Sequence, residues 1–79
     1  MERREISVRV TLDREADAAY VYLAEEPELG WRHGESVPVL TGSGAMVNLD
    51  FDDEGRLMGV EVLGAFNTLP AAMAEKFTN

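Results

Sequence analysis

The sequence contains no cysteine and only one histidine among its 79 residues. Without cysteine, disulfide bonds and thiolate metal sites are both excluded. The single imidazole, His33, cannot by itself form a histidine-based metal cage, and neither Ser36 nor Ser43 has the sequence context of an activated nucleophile. We therefore predict no metal, no cofactor and no catalytic residue, and we expect His33 to be a solvated loop residue.

Long apolar runs and clustered basic residues are also lacking. No segment approaches the roughly 20 apolar residues of a membrane span, and the charged start of the chain differs from a signal peptide. Seven basic residues face fifteen acidic ones, for a formal net charge of −8, which disfavours nucleic acid as a partner. We expect a cytoplasmic protein with no membrane or nucleic-acid binding. Its charge suits either plain solubility or a basic partner protein.

The length of 79 residues predicts a single small domain over residues 1–79. Ordering a chain costs about 1.5 kcal/mol per residue, which a single small core barely offsets. Because self-association would bury more apolar surface, we expect at least a homodimer.

Five segments have the alternation or the β-branched and aromatic content of strands. They are residues 6–12, 18–24, 36–40, 46–51 and 57–63. Short connections predict that strands adjacent in sequence are adjacent in space, as in an antiparallel meander. Pro38 has no N–H to donate, so the third strand belongs at an edge of the sheet.

The sequence predicts one helix, over residues 67–77. Pro70 is tolerated in its first turn, and Leu69, Met73 and Phe77 recur every four residues as an apolar stripe. The predicted fold class is α+β, an antiparallel meander sheet of four to five strands with one C-terminal helix packed on one face.

The stretch DFDDEGRLMGVE, residues 50–61, has the acidic spacing of an EF-hand calcium loop. Both of its flanks alternate with period two, which favours a hairpin between two strands over a loop between two helices. A four-residue turn at 52–55 would pair Phe51 with Arg56, with Gly55 at positive φ. Glu61 would then lie opposite Met46, about 13 Å along the strand from Asp50. Two carboxylates so far apart cannot share one calcium ion.

The candidate binding residues lie on the sheet face opposite the helix. Alternation places five polar and aromatic side chains there, namely Tyr20, Tyr22, Asn48, Asp50 and Glu61. This group is either a binding surface or an ordinary solvated or dimer-covered face with tyrosine–carboxylate hydrogen bonds. Trp31, in the loop of residues 25–35, is a sixth candidate, either as a partner anchor or as a ring folded over the sheet edge.

Two segments, TLDREADAAYVYL and VNLDFDDEGRLMGVEVL, together resemble the family known as domain of unknown function 2283. The shared pattern is an Asp, then Ala-Asp-Ala-x-Tyr entering a strand, an Asp-rich turn with Gly, and Gly-hydrophobic-Glu in a strand. In this chain it comprises Asp13, Ala16, Asp17, Ala18, Tyr20, Asp50, Gly55, Gly59 and Glu61. The resemblance covers roughly residues 8–70 and departs from the family in the longer loop at 25–35.

The resemblance implies a small prokaryotic protein without an assigned activity. Some family members are thought to lie beside toxin-like genes, which implies an antitoxin-like or partner-binding role. Two hypotheses follow for this chain. The favoured one is a non-enzymatic protein-interaction module that binds a basic partner protein. The alternative is a small-ligand-binding or hydrolytic protein that uses Tyr20, Asp50 and Glu61.

Overall fold

A computed structural model describes residues 2–24 and 32–76 of the chain. These residues form five strands followed by two short helices. The strands are β1 (Arg9–Asp13), β2 (Ala18–Tyr22), β3 (His33–Leu40), β4 (Met46–Asp52) and β5 (Leu57–Leu63), and the helices are α1 (Ala65–Thr68) and α2 (Ala71–Glu75). The antiparallel sheet and C-terminal helices agree with the predicted α+β class.

The strand order in the sheet is β1-β2-β5-β4-β3, and every pairing is antiparallel. The prediction of a simple meander is therefore wrong at one step, because β2 pairs with β5 and not with β3. A meander would place β3 at the centre of the sheet, where Pro38 would leave a ladder hydrogen bond unmade. In the observed order β3 is an edge strand, as the proline predicts.

Two strands begin three residues away from the predicted start, and β2 ends at Tyr22 rather than at residue 24. β1 begins at Arg9 rather than at residue 6, because Arg9 pairs with Tyr22, which is the last residue of the partner strand β2. β3 begins at His33 rather than at residue 36, because β4 continues to Asp52 and offers His33 a partner.

The predicted helix over 67–77 is divided into α1 and α2. The break is at Leu69, whose φ of −76° and ψ of 154° are extended. Clash with a following proline ring disfavours the helical region, so Pro70 forces Leu69 out of the helix and then caps α2 itself. Leu69 packs against the core, whereas Met73 is 38% exposed. Phe77, the third member of the predicted stripe, lies outside the described residues.

The strand pairings sort side chains onto two faces, because successive residues of a strand point to opposite sides. We call one of them the aliphatic face. Its two rows across the five strands are Leu12, Ala19, Val62, Val47 and Val39, and Val10, Val21, Val60, Leu49 and Val37. The helix α1 packs on this face against β2 and β5, where Ala65 joins Ala19 and Val62 in the buried core.

We call the opposite side the polar face. Its two central rows are Thr11, Tyr20, Glu61, Asn48 and Pro38, and Arg9, Tyr22, Gly59, Asp50 and Ser36. Neither helix of the described chain is long and apolar enough to cross a bilayer.

Candidate functional site

Five of the six predicted site residues share the polar face. Tyr20 is paired with Glu61, which is in turn paired with Asn48. Tyr22 and Asp50 are paired with Gly59 from either side. The structure thus brings these side chains together on adjacent strands. Their role in binding stays a prediction, and Trp31 lies outside the described residues.

A chain of hydrogen bonds runs across this face from β2 to the edge strand. The phenol of Tyr20 donates to Asp50 Oδ2 at 2.5 Å, and the hydroxyl of Ser36 donates to Asp50 Oδ1 at 2.6 Å. His33 Nε2 lies 3.0 Å from Ser36 Oγ. The Ser36 hydroxyl donates to Asp50, so in the tautomer with a proton on Nε2 its oxygen accepts from His33. The Ser36 hydroxyl thus points its hydrogen at Asp50 and not at His33, the contact by which a histidine base activates a serine nucleophile.

The Tyr20 hydroxyl is held in its protonated form. Burial raises the pKa of the Tyr20 phenol well above its ordinary range, and the hydrogen bond to the negatively charged Asp50 raises this pKa further. At neutral pH the phenol is consequently a hydrogen-bond donor and not a base.

A second polar pair lies beside this chain of hydrogen bonds. Asn48 Nδ2 donates to Glu61 Oε1 at 2.9 Å. This bond orients the Glu61 carboxylate without supplying a counter-charge, because the donor is a neutral amide.

Two aromatic rings and a cation complete the polar face. The ring centroids of Tyr20 and Tyr22 are 4.6 Å apart with the planes inclined at 52°. The guanidinium carbon of Arg9, the residue paired with Tyr22 on β1, lies 4.0 Å from the Tyr22 ring centroid. This is the geometry of a cation–π contact, so the face already holds one guanidinium against an aromatic ring.

The residues Ser36 and His33 were missed by the sequence analysis, which placed His33 in a solvated loop. A signal for Ser36 was present. The predicted strands 36–40 and 46–51 flank a five-residue connection, and pairing Leu40 with Met46 across it puts Ser36 opposite Asp50. Both pairs occur in the structure.

The side chain of Asp52 holds the Asp-rich turn together by hydrogen bonds. Asp52 is 3% exposed, and its Oδ1 accepts from the backbone N–H groups of Glu54 and Arg56, each at 2.9 Å. Its Oδ2 accepts from Arg56 Nε at 2.9 Å. The backbone N–H of Arg56 is the main reason that the pKa of Asp52 is lowered. Within residues 2–24 and 32–76, no group of three or more His, Asp or Glu side chains could hold a metal ion.

The predicted register of this hairpin is wrong by two residues. The backbone N–H of Asp52 donates to the carbonyl of Arg56, which leaves a three-residue loop at 53–55 instead of four residues. A β-bulge follows, since Asp50 pairs with Gly59 but Phe51 with Leu57. The shorter loop and the bulge each shift the pairing of β4 with β5 by one residue. A shift of two residues in total keeps the side chains of both strands on their predicted faces. Gly55 has the expected positive φ, at 81°.

The register change brings Glu61 opposite Asn48 and not Met46. Glu61 is thus two residues along the strand from Asp50, or about 7 Å, rather than the predicted 13 Å. This closer spacing brings the two carboxylates nearer to each other on the face that they share with the two tyrosines.

Two acidic residues of the family pattern have structural roles. Asp13 Oδ1 accepts from the backbone N–H groups of Glu15 and Ala16, which closes the turn between β1 and β2. Asp17, at φ 50°, accepts from Phe66 N–H through Oδ1 and from Ala65 N–H through its carbonyl. These bonds tie the β1–β2 turn to the start of α1.

No curated protein and no solved structure shows a significant match to the chain. The family described as "Protein of unknown function (DUF2283)" matches residues 9–65, from the first residue of β1 to the first residue of α1. This match confirms the resemblance drawn from the sequence and covers more than half of the chain. The chain therefore belongs to the DUF2283 family of proteins of unknown function.

Proposed function

We propose that the protein is a non-enzymatic interaction module that binds an arginine-containing segment of a basic partner protein on its polar face. The observation that carries this proposal is the grouping of Tyr20, Tyr22, Asp50 and Glu61 on neighbouring strands of one sheet surface. The chain as a whole has a net charge of −8, which would steer a basic partner toward it.

The carboxylates supply the charge for such contacts. Among the ten central positions of the polar face, Asp50 and Glu61 are acidic and Arg9 is the one basic residue. Glu61 is oriented by Asn48, and Asp50 by Tyr20 and Ser36, so the charges are held in position before a partner arrives. Such preorganisation reduces the loss of side-chain conformational entropy on binding.

The aromatic rings favour arginine over lysine. The guanidinium of Arg9 already lies over the Tyr22 ring, which supports a second guanidinium stacking on the adjacent ring surface. A planar guanidinium can both stack on a phenol ring and pair with a carboxylate such as Glu61, whereas an ammonium is a compact and strongly hydrated charge.

The same contacts argue against chemistry at this surface. The Ser36 hydroxyl donates a hydrogen bond to Asp50, and the Tyr20 phenol stays protonated at neutral pH. Neither contact favours the hydrolytic alternative. An antitoxin-like role, which the family resemblance implies, would use the polar face to cover a basic surface on the partner.

The test is a binding titration with fluorescent peptides of equal length, one rich in arginine, one rich in lysine and one rich in glutamate. We expect the arginine peptide to bind most tightly and the glutamate peptide not to bind. Glu61→Gln should weaken arginine-peptide binding at least about tenfold, because it removes a charge that faces the peptide.

The matched control is Glu15→Gln, which removes the same charge from the exposed turn between β1 and β2. It should change binding by less than about twofold, since a distant exposed charge is screened by salt. Equal losses in the two variants would mean general attraction to an acidic chain, and the proposed site would be wrong.

A further inference from the structure

The two edges of the sheet differ in how open they are to a further strand. β3 forms one edge, with a bulge between His33 and Glu35 and with Pro38 further along the strand. Bulges and prolines are two devices by which edge strands resist pairing with another chain. β1 forms the other edge and has neither device. Within residues 2–24 and 32–76, no strand pairs with its outer side. β1 is therefore the edge at which a strand can be added.

The outward backbone groups of β1 belong to Val10 and Leu12. The N–H of Leu23, the residue after β2, donates to a carbonyl on β5. Backbone groups alternate in direction along a strand, so Tyr22 directs its N–H and C=O toward its partner Arg9 on β1. Counting on from Arg9, every second residue of β1 bonds to β2. The two residues between them each present one N–H and one C=O to an added strand.

The sequence of β1, RVTLD, is complementary to itself in the antiparallel direction. In a pair centred on Thr11, Arg9 lies opposite Asp13 of the second copy, and Val10 lies opposite its Leu12. The two residues with outward backbone groups then exchange both of their hydrogen bonds. The side chains also keep to their faces, with the ion pairs on the polar face and the apolar pairs on the aliphatic face.

No other register uses the strand as fully. A shift of one residue would set polar side chains of one copy beside the aliphatic side chains of the other. A shift of two residues would leave one end of each β1 strand unpaired and would lose the pairing of Arg9 with Asp13. Charged residues on an edge usually deter an added strand, but here the second copy supplies the opposite charges in the matching order.

The charged side chains are already placed for this contact. The Arg9 guanidinium is exposed and lies over the Tyr22 ring, a contact that leaves the edge of its planar fork for a carboxylate. Asp13 is also exposed and uses Oδ1 to hold the β1–β2 turn. A carboxylate has two oxygens and can accept further hydrogen bonds.

The charge around β1 also favours a second copy. Residues 2–14 contain four arginines and three acidic residues, a formal charge of +1 in a chain whose net charge is −8. Two copies that meet at β1 therefore avoid opposing acidic surfaces, because Asp50 lies on β4, three strands away from this edge.

We infer that two copies of this chain pair their β1 strands antiparallel, centred on Thr11, and so form one continuous sheet. A twofold axis perpendicular to the sheet relates the copies, and both polar faces lie on the same side. The contact is one short strand pair, so the dimer is weak, with an expected dissociation constant of about 10 to 100 μM. The inference does not depend on what the polar face binds.

The first test reverses charges and measures the dissociation constant by sedimentation equilibrium of the full chain. Arg9→Glu sets carboxylates against each other at both ends of the strand pair and should raise the constant at least about tenfold. Asp13→Lys sets cations against each other and should do the same. An equimolar mixture of the two variants restores opposite charges at both ends, so it should associate within about threefold of the parent.

The matched control is Lys76→Glu, which makes the same change of charge at the exposed end of α2. It should alter the dissociation constant by less than about twofold, because a distant exposed charge is screened by salt.

The second test removes a backbone donor. Val10→Pro lacks the N–H that would donate to the second copy, and an edge strand tolerates proline where its N–H faces outward. It should weaken the dimer at least about thirtyfold. Val10→Thr keeps the N–H and the β-branched shape and should change the constant by less than about threefold. Circular dichroism shows whether each variant keeps its sheet, and the Val10 pair decides the matter if Asp13→Lys does not fold.

A parent chain that stays monomeric at about 1 mM would overturn the inference. Equal effects of Arg9→Glu and Lys76→Glu would do so too, as would two folded charge variants that do not associate when mixed. Val10→Pro that dimerises as well as Val10→Thr would also contradict it. A dimer that binds no arginine peptide would leave this inference intact and refute the proposed function alone, whereas a monomer that binds the peptide would refute this inference alone.

Discussion

The phenol ring of Tyr20 lies against Gly59 on the neighbouring strand, so closely that a Cβ at position 59 would clash with the ring. Tyr20 is on β2 and its hydrogen-bond partner Asp50 is on β4, with β5 between them. The two outer strands are about 9.6 Å apart, two strand spacings. The ring can span this gap only by lying across β5, and the missing side chain of Gly59 provides the space.

Gly59→Ala should therefore destabilise the fold by about 1 to 3 kcal/mol, the usual cost of overpacking, when the free energy of unfolding is measured in urea. Because the displaced ring would lose its burial and its bond to Asp50, the pKa of Tyr20 should also fall toward its ordinary value. This shift is measured by the absorbance of tyrosinate at alkaline pH.

Gly42→Ala is the control for that experiment, because a Cβ at position 42 would meet no atom within 4 Å. It should be close to neutral in both measurements. If Gly59→Ala were equally neutral, the ring would have room to move and the geometry above would be incorrect.

Gly55→Val tests the turn between β4 and β5. Gly55 has φ 81°, and a Cβ there would meet nothing within 4 Å, so the cost arises from backbone conformation alone. A β-branched residue at positive φ should destabilise by about 1 to 2 kcal/mol in thermal or urea unfolding. Gly55→Asn should cost much less, because asparagine tolerates this region. Equal costs for the two variants would show that the turn changes shape when it is substituted.

The sequence predicted those features of the fold that depend on neighbours along the chain. The two faces of β4 and β5 follow from alternation, and the positive φ at Gly55 follows from its place in a tight turn. Which strand pairs with β2 depends instead on residues far apart, and the assumption of short connections gave the wrong partner. Pro38 carried the needed information, since an edge position for β3 is incompatible with a simple meander.

The sequence predicted which face carries Tyr20, Asp50 and Glu61, but not the distance between the two carboxylates. Tyr20, Asp50 and Glu61 share a face because each sits at the right parity of its strand. The separation of Asp50 and Glu61 depends on a β-bulge, and no residue type in the sequence predicts a bulge at that point. Asp52 explains the shorter turn, since its side chain caps the backbone N–H groups of Glu54 and Arg56. The spacing of acidic residues alone does not distinguish an aspartate that caps a turn from one that binds calcium.

Val60→Asp should be severely destabilising, by about 3 kcal/mol in urea unfolding. Val60 is on the helix-covered part of the aliphatic face and packs against the buried cluster of Ala19, Val62 and Ala65. A carboxylate there would lose its hydration without gaining a partner. Leu57→Asp, on the same strand but 39% exposed, is the control and should cost less than about 1 kcal/mol. Similar costs at the two positions would mean that Val60 is not part of the core.

The stability that Asp52 gives to its turn should be lost in acid. The pKa of Asp52 is lowered in the folded chain, chiefly by the hydrogen bond from the backbone N–H of Arg56. A lowered folded-state pKa means that the charged carboxylate stabilises the fold above its unfolded-state pKa of about 3.9. This contribution disappears as the pH falls below about 4 and through the folded-state pKa. Asp52→Asn should therefore melt at a lower temperature than the parent at about pH 7, and the difference should narrow as the pH falls below about 4. Asp53→Asn, the control, removes an equal charge from an exposed position in the same turn and should lower the melting temperature at about pH 7 much less than Asp52→Asn does. A difference between Asp52→Asn and the parent that stays constant down to about pH 2 would show that the charge of Asp52 does not stabilise the turn.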